Sequence, residues 1–273
     1  MKLTLITLLI VVTTFTHAQV DTEKISDSIV KEAKRLYRSE MASWYGTDLF
    51  MEKFKDQLSN ARGYFSYDEG KHTNCIFFSK DETPKVLATF TFDSTFSTAT
   101  AKIDDKQRDF TPGEKDIYAI RKLALQIIQN DTFFKRYENS NFNLVPLVEN
   151  RQKKVYVLTG PQSNGVMIIG NDYLLTFDDQ NELATKKRLH KTMLEIKYDM
   201  KDSETTAMHT HLPETGDFMT ATDICTTMLY QKYAKWKQHY VMSKNYVSIW
   251  NCEQNRLVVL TKEAWDKMSK DNN

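Results

Sequence analysis

The sequence is poor in cysteine and close to electrically neutral, and both features restrict what the protein can be. Its three cysteines, Cys75, Cys225 and Cys252, show no regular spacing, so nothing supports a disulfide framework or a thiolate zinc site. A bridge between Cys225 and Cys252 stays open. Lysine and arginine number 37 against 36 aspartate and glutamate. The charge balance therefore gives no reason to expect a nucleic-acid partner.

Several sequence signatures of enzymes are also missing. The chain has no Gly-x-Ser-x-Gly nucleophile elbow, no P-loop and no dinucleotide fingerprint. The glycine-containing segment 160–165 lacks a lysine and a following helix, which argues against a phosphate cradle. No internal repeat and no low-complexity segment is present.

The first residues predict export. Lys2 precedes an apolar run from Leu3 to Phe15, and Thr16-His17-Ala18 is typical of a signal-peptidase site. We therefore interpret residues 1–18 as a signal peptide and expect a periplasmic or secreted protein. The run is too short to span a bilayer comfortably, so no stable membrane span is expected after cleavage. A retained membrane anchor is the alternative.

The rest of the chain predicts an α+β fold in two parts. An accessory region, 19–138, combines amphipathic helices over 22–43 and 49–58 with short antiparallel strands and a helix that a capping box at Thr111 begins. A second part, 139–273, is rich in strands, and Gly170-Asn-Asp fits a tight hairpin turn between strands 165–169 and 173–177. The purpose of the accessory region is not evident from its residues.

A short stretch near the middle of the second part contains the candidate chemistry. His209 and His211 lie two residues apart in a predicted strand, which directs both imidazoles to the same face. Thr220 and Asp223 lie in the first turn of a predicted helix, where a carboxylate is favoured. Two imidazoles and a carboxylate with room for water are typical of an open zinc site. A solvated loop with surface histidines is the alternative interpretation.

The pattern His209-x-His211 followed by Thr220-x-x-Asp223 resembles the JAB/MPN (JAMM) metalloproteases. Their motif is His-x-His, seven residues, then Ser-x-x-Asp, whereas the gap here is eight residues and threonine replaces serine. The resemblance implies a mixed α/β sandwich over 139–273. It also implies that His209, His211 and Asp223 hold zinc and that Thr220 stabilises an oxyanion.

The same resemblance requires an upstream glutamate as general base, and the matching position is Gln162. Glutamine accepts no proton at neutral pH, although it can hydrogen-bond a metal-bound water. Glu214 is the first alternative base, ahead of Glu182 and Glu195. His190 is interpreted as a structural residue.

Two main functional hypotheses follow from these residues. The first is a zinc-dependent peptidase or isopeptidase acting on a protein or peptide, such as a cell-wall peptide. The alternative is a catalytically inactive binding module of the cell envelope. A third hypothesis, an envelope protein in which these residues are only structural, also stays open.

Overall fold

A single long helix begins the part of the chain that the structure describes. The structure, a computed structural model, describes residues 21–198 and 206–271, so the predicted signal peptide lies outside the described residues. Helix α1 spans Thr22–Lys53, and its N-cap is Asp21, whose side chain accepts a hydrogen bond from the amide of Lys24 at 3.0 Å. A 3-10 turn, Lys55–Gln57, follows.

Two helices were predicted over the span that α1 and this turn occupy, and that prediction was wrong. Gly46 lies inside the continuous helix, at a position where an added Cβ would come within 2.7 Å of the Cys75 sulfur. The glycine therefore permits close packing on the neighbouring sheet and does not end the helix.

The first sheet has four antiparallel strands in the order β1-β2-β3-β4. They are β1 (Ala61–Asp68), β2 (Thr73–Ser79), β3 (Val86–Phe92) and β4 (Lys102–Asp104). The sheet packs on α1 through stacked rings, with Phe50 of the helix 4.0 Å from Phe77 of β2 between centroids. Helix α2 (Pro112–Asn130) follows, and Thr111 forms the predicted capping box with Glu114.

Three further sheets make up the rest of the molecule. Their strands are β5 (Ser140–Glu149), β6 (Gln152–Pro161), β7 (Val166–Gly170), β8 (Tyr173–Phe177), β9 (Leu183–Arg188), β10 (Met193–Lys197), β11 (Thr206–Thr210), β12 (Gln238–Met242), β13 (Tyr246–Asn251) and β14 (Arg256–Thr261). The orders are β5-β6-β8-β9, β7-β10 and β11-β12-β13-β14. Helices α3 (Ala221–Tyr230) and α4 (Lys262–Asp271) complete the set. The predicted α+β class is confirmed.

The predicted hairpin between strands 165–169 and 173–177 does not form. Strand β7 pairs with β10, whereas β8 pairs with β6 and β9. The chain changes sheets at Gly170 and Asn171, both of which have positive φ. The Asn171 side chain fixes this crossing, because its Nδ2 donates to the carbonyl oxygen of Lys135 at 2.9 Å. Asp172, which follows directly, is thereby held in the interior with only 3% of its surface exposed.

One connection in the last sheet positions His209, His211 and Asp223. Strands β11 and β12 are parallel, and α3 lies between them in the chain. This βαβ arrangement places the end of β11 and the start of α3 side by side. The other pairs in that sheet are antiparallel.

Helix α1 contributes to cores on both sides of the predicted boundary at 138/139. Ala33 packs with Trp250 in the core under the last sheet, Leu36 packs with Cys225 of α3, and Phe50 belongs to the core of the first sheet. The boundary itself stays a prediction.

The structure also bears on the bridge between Cys225 and Cys252 and on a membrane span. All three cysteines are buried and free, so Cys225 and Cys252 form no bridge. Among the described residues, no helix combines the length and the apolar character needed to cross a bilayer.

Candidate metal centre

His209 and His211 are brought together by the end of strand β11. His209 lies in the strand, paired in register with Val241 of β12, and the amide of His211 donates to the carbonyl oxygen of Met242 at 2.9 Å. The same-face spacing brings the two Nε2 atoms to 3.2 Å from each other. The imidazoles therefore converge as the sequence predicted.

The first turn of α3 positions the carboxylate. Thr220 is the N-cap of the helix, and its Oγ1 accepts from the amide of Asp223 at 3.1 Å. Oδ2 of Asp223 in turn accepts from the Thr220 amide at 2.8 Å, which completes a capping box. With Oδ2 held in this way, Oδ1 is buried and has no hydrogen-bond partner. An unpaired buried carboxylate oxygen is costly, and a cation would satisfy it.

A third imidazole lies in the group, that of His190, which the sequence did not link to the other two histidines. His190, between β9 and β10, has its Nε2 3.2 Å from Nε2 of His211 and 3.4 Å from Oδ1 of Asp223. It is a member of the cluster and not an isolated structural residue. No short motif links it to His209, which lies 19 positions further along the chain.

Four of the six separations in the cluster match a tetrahedral metal site formed by its four ligand atoms. The ligand atoms of His190, His209, His211 and Asp223 all lie within 4.8 Å of one another. The Nε2 of His209 is 3.6 Å from Oδ1 of Asp223, so the measured separations run from 3.2 to 3.6 Å. Zinc bonds of about 2.0–2.1 Å in a tetrahedron give edges of about 3.3–3.4 Å. This buried group could hold a metal ion.

Outer partners orient two of the three imidazoles. Oδ1 of Asp172 lies 2.6 Å from Nδ1 of His190. Nδ1 of His209 lies 2.9 Å from Nε2 of His239, whose own Nδ1 lies 3.0 Å from Oγ1 of Thr227. If each Nε2 faces a metal, each Nδ1 carries the proton and donates it outward. Such partners fix the tautomer and the orientation of ligand histidines.

The pKa shifts in the cluster favour a neutral His209 and an ionised Asp223, which are the forms that bind a metal. Burial lowers the pKa of His209 to about 4 and that of His239 to about 3, so both imidazoles are neutral at pH 7. Burial alone would raise the pKa of Asp223, but the neighbouring His190 outweighs it and holds that pKa well below its usual range. Burial also opposes protonation of His190, yet the charges of Asp223 and Asp172 raise its pKa to about 11. The two carboxylates thus stabilise a cation at this position.

The cluster is almost closed to solvent but borders a cleft. Side-chain exposure is 7% for His190 and His209 and 1% for His211 and Asp223. A cleft of about 330 Å³ reaches the two more exposed imidazoles. Its apolar lining includes Ile169, Met193, Leu194, Met208 and Leu212.

The remaining candidate residues from the sequence lie outside the cluster. Gln162 is exposed after β6, and its Nε2 donates to Oδ1 of Asn141 at 2.9 Å. Glu214 is exposed, and its carboxylate accepts from Lys191 Nζ at 2.8 Å, an interaction that lowers the pKa of Glu214. Glu182 and Glu195 are exposed. None of these is among the four convergent ligands.

Comparisons with protein-family models, with curated proteins and with solved structures gave no match. The resemblance to the JAB/MPN metalloproteases therefore rests on the sequence motif alone and stays a prediction.

The contact between Asp172 and His190 makes a first testable prediction. Asp172→Asn keeps the shape and an acceptor for His190 Nδ1 but removes the negative charge. We expect the affinity for zinc to fall about 10- to 100-fold, as is typical when a partner of a ligand histidine is altered. Competition with a chromophoric chelator measures this change. Asp179→Asn, in the exposed turn before β9, is the matched control, and an equal loss in both variants would contradict the assigned role.

Proposed function

We propose that the protein binds one zinc ion through the Nε2 atoms of His190, His209 and His211 and the carboxylate of Asp223, and that the site is structural. The observation that carries the proposal is the convergence of three Nε2 atoms and the unpaired Oδ1 of Asp223 within 4.8 Å of one another, with four of the six separations at 3.2–3.6 Å. Three imidazoles and one carboxylate suit zinc better than calcium or magnesium, which prefer oxygen ligands.

Four protein ligands favour a structural site over a catalytic one. Structural zinc sites have all four positions filled by side chains, whereas catalytic sites keep one open for water or substrate. Here the third histidine fills the position that a His-His-Asp site leaves free. Bound zinc would join the loop after β9 to the end of β11 and the start of α3. It would thus fix two sheets against one helix.

The wider proposal is a zinc-stabilised binding module of the cell envelope. Export to the periplasm or the medium is supported by the apolar segment 3–15 and the small-residue site that ends at Ala18. The partner would be a protein or peptide, with cell-wall peptide as the first class to examine. Gln162 in place of a basic carboxylate supports binding over catalysis.

Metal analysis of the purified protein tests the site. We expect one zinc per chain by inductively coupled plasma mass spectrometry, and less than about a tenth of that in His190→Ala. Loss in His190→Ala separates the four-ligand site from a three-ligand site, in which His190 would be dispensable. His72→Ala, which removes an exposed histidine in a turn, should retain the metal. Wild-type protein that contains no zinc after purification and takes none up would refute the proposal.

The cleft beside His190 and His209 favours one second candidate, a zinc-dependent peptidase. Zinc in such an enzyme polarises a carbonyl and lowers the pKa of water. Exposed Leu194, Met208 and Leu212 offer an apolar surface for a peptide. The hydroxyl of Thr220 is already donated to Oδ2 of Asp223 at 2.8 Å, so it would have to be released to stabilise an oxyanion.

A peptide-library assay distinguishes the two candidates. Cleavage by the zinc-loaded protein that is lost in Asp223→Asn would establish the peptidase. No cleavage by a protein shown to contain zinc would leave the binding module.

A further inference from the structure

A groove lies beside the C-terminal half of α1, and none of its lining residues is a ligand of the proposed zinc site. Its inner part, of about 380 Å³, lies between α1, β5, β6 and α3, and its outer part, of about 870 Å³, continues along the loop after β6. Trp44, Pro161 and Tyr230 line both parts, so the two are continuous. We call this surface the aromatic groove.

Aromatic rings give the groove flat apolar faces that are open to solvent. Trp44 is 42% exposed and Tyr233 is 38% exposed. The Trp44 ring lies 6.2 Å from Tyr230 and 6.5 Å from Tyr233 between centroids, and Tyr198 lies 6.2 Å from Tyr230. Exposed tryptophan among tyrosines is unusual on a free surface and typical of a binding site.

Uncharged and acidic groups line the inner part of the groove, whereas Lys197 lines the outer part. The inner part is lined by the carboxyls of Glu40 and Asp48, the amides of Asn141 and Asn143, and the hydroxyl of Thr226. Among the described residues, no lysine or arginine lines this inner part. Two carboxyls without a lining cation disfavour a phosphate, a sulfate or a carboxylate as ligand.

Glu40 adds a group that both donates and accepts. Burial raises the pKa of this carboxyl to about 7, against the weaker opposing effects of Asn143 and Arg121. Nδ2 of Asn143 donates to one carboxyl oxygen at 3.2 Å. A partly protonated carboxyl beside an amide matches the mixed donors and acceptors of hydroxyl groups.

We propose that the aromatic groove binds a neutral oligosaccharide. The apolar C–H faces of sugar rings would stack on Trp44 and the tyrosines, while ring hydroxyls would bond to Glu40, Asp48 and the two asparagines. The site is separate from the zinc cluster, so this inference does not depend on the proposed function.

Titration calorimetry of the full chain as purified with three probes tests the proposal. The probes are maltotetraose, cellotetraose and N-acetylchitotetraose. We expect saturable binding of at least one, with a dissociation constant on the order of micromolar to millimolar. Trp44→Ala should weaken that binding by at least about tenfold, and Trp44→Phe, which keeps a ring, by less. Trp265→Ala, on α4 and away from the groove, is the matched control and should bind as the wild type does.

Three outcomes would overturn the proposal. One is the absence of saturable binding to all three tetrasaccharides by a protein with its normal melting temperature. Another is binding that is unchanged in Trp44→Ala. The third is Trp44-dependent binding of choline without binding of any saccharide, which would assign the groove to cations.

Discussion

Removing the proposed zinc ion with a chelator is expected to lower the melting temperature by about 10 °C. A ligand present at a thousand times its dissociation constant stabilises the folded state by about 4 kcal/mol. For a chain of this size, each kcal/mol corresponds to about 2–4 °C. The structure gives the physical reason, because the metal-free cluster leaves Oδ1 of Asp223 buried without a hydrogen bond among three imidazoles.

Scanning calorimetry with and without dipicolinate checks this expectation, and returning zinc should restore the original curve. Asp223→Asn should melt early and show little response to the chelator. His72→Ala should respond fully, since that side chain is exposed and lies outside the cluster. Identical melting curves for zinc-loaded and chelated wild-type protein would contradict a stabilising metal.

Glu40→Gln is expected to stabilise the protein at pH 8 and to have little effect at pH 4. Burial raises the pKa of Glu40 to about 7 from an ordinary value of 4.5. As the pH rises above 4.5, the unfolded chain releases this proton first, so stability is lost progressively up to about pH 7. One pKa unit corresponds to about 1.4 kcal/mol, so the rise from 4.5 to about 7 gives a penalty of about 3–4 kcal/mol above that pH. Glutamine has the same shape and no charge, so it removes the penalty.

Urea unfolding of the metal-free wild type and variant at pH 4, 6 and 8 measures the difference. Metal-free protein is used so that zinc release at low pH does not contribute. Glu52→Gln, an exposed position on the same helix, should leave the pH dependence unchanged. A Glu40→Gln protein with the wild-type pH dependence would show that Glu40 ionises normally in the folded state. If the penalty is found, it marks Glu40 as a residue held at a cost to stability, as binding residues often are.

Part of the candidate metal centre could be predicted because two local sequence patterns specify it. Residues two positions apart in a strand lie on the same face of the sheet, and this rule predicted that His209 and His211 lie together. The pattern Thr220-x-x-Asp223 is a capping box, which fixes the carboxylate in the first turn of a helix. Both inferences need only neighbours in the sequence.

The rest of the site depends on sheet register, which the sequence did not specify. In the β8–β9 hairpin, Tyr173 pairs with Arg188. This register brings Asp172 and His190, which lie just beyond that pair, close to each other. The sequence predicted a hairpin between β7 and β8, whereas the hairpin that forms joins β8 to β9. The contact between Asp172 and His190 was therefore not predicted. His239 was missed for a similar reason, since it reaches His209 only through the parallel pairing of β11 with β12.

The α+β class was predicted correctly, but the prediction of two helices over 22–58 was wrong. The gap between the two predicted helices, 44–48, contains Gly46, whose lack of a side chain lets the continuous α1 approach Cys75. Composition alone does not show whether a glycine ends a helix or permits close packing inside it.

The continuous course of α1 has a consequence for folding cooperativity. Ala33, Leu36 and Phe50 belong to three different cores on one 32-residue helix. Fraying of this helix would therefore expose apolar surface in both halves of the chain at once, and neither half has a complete core without it. The two halves should unfold in a single transition, and a fragment that starts at residue 139 should lack native packing, because it also loses the residues of α2 that pack on β6 and β8.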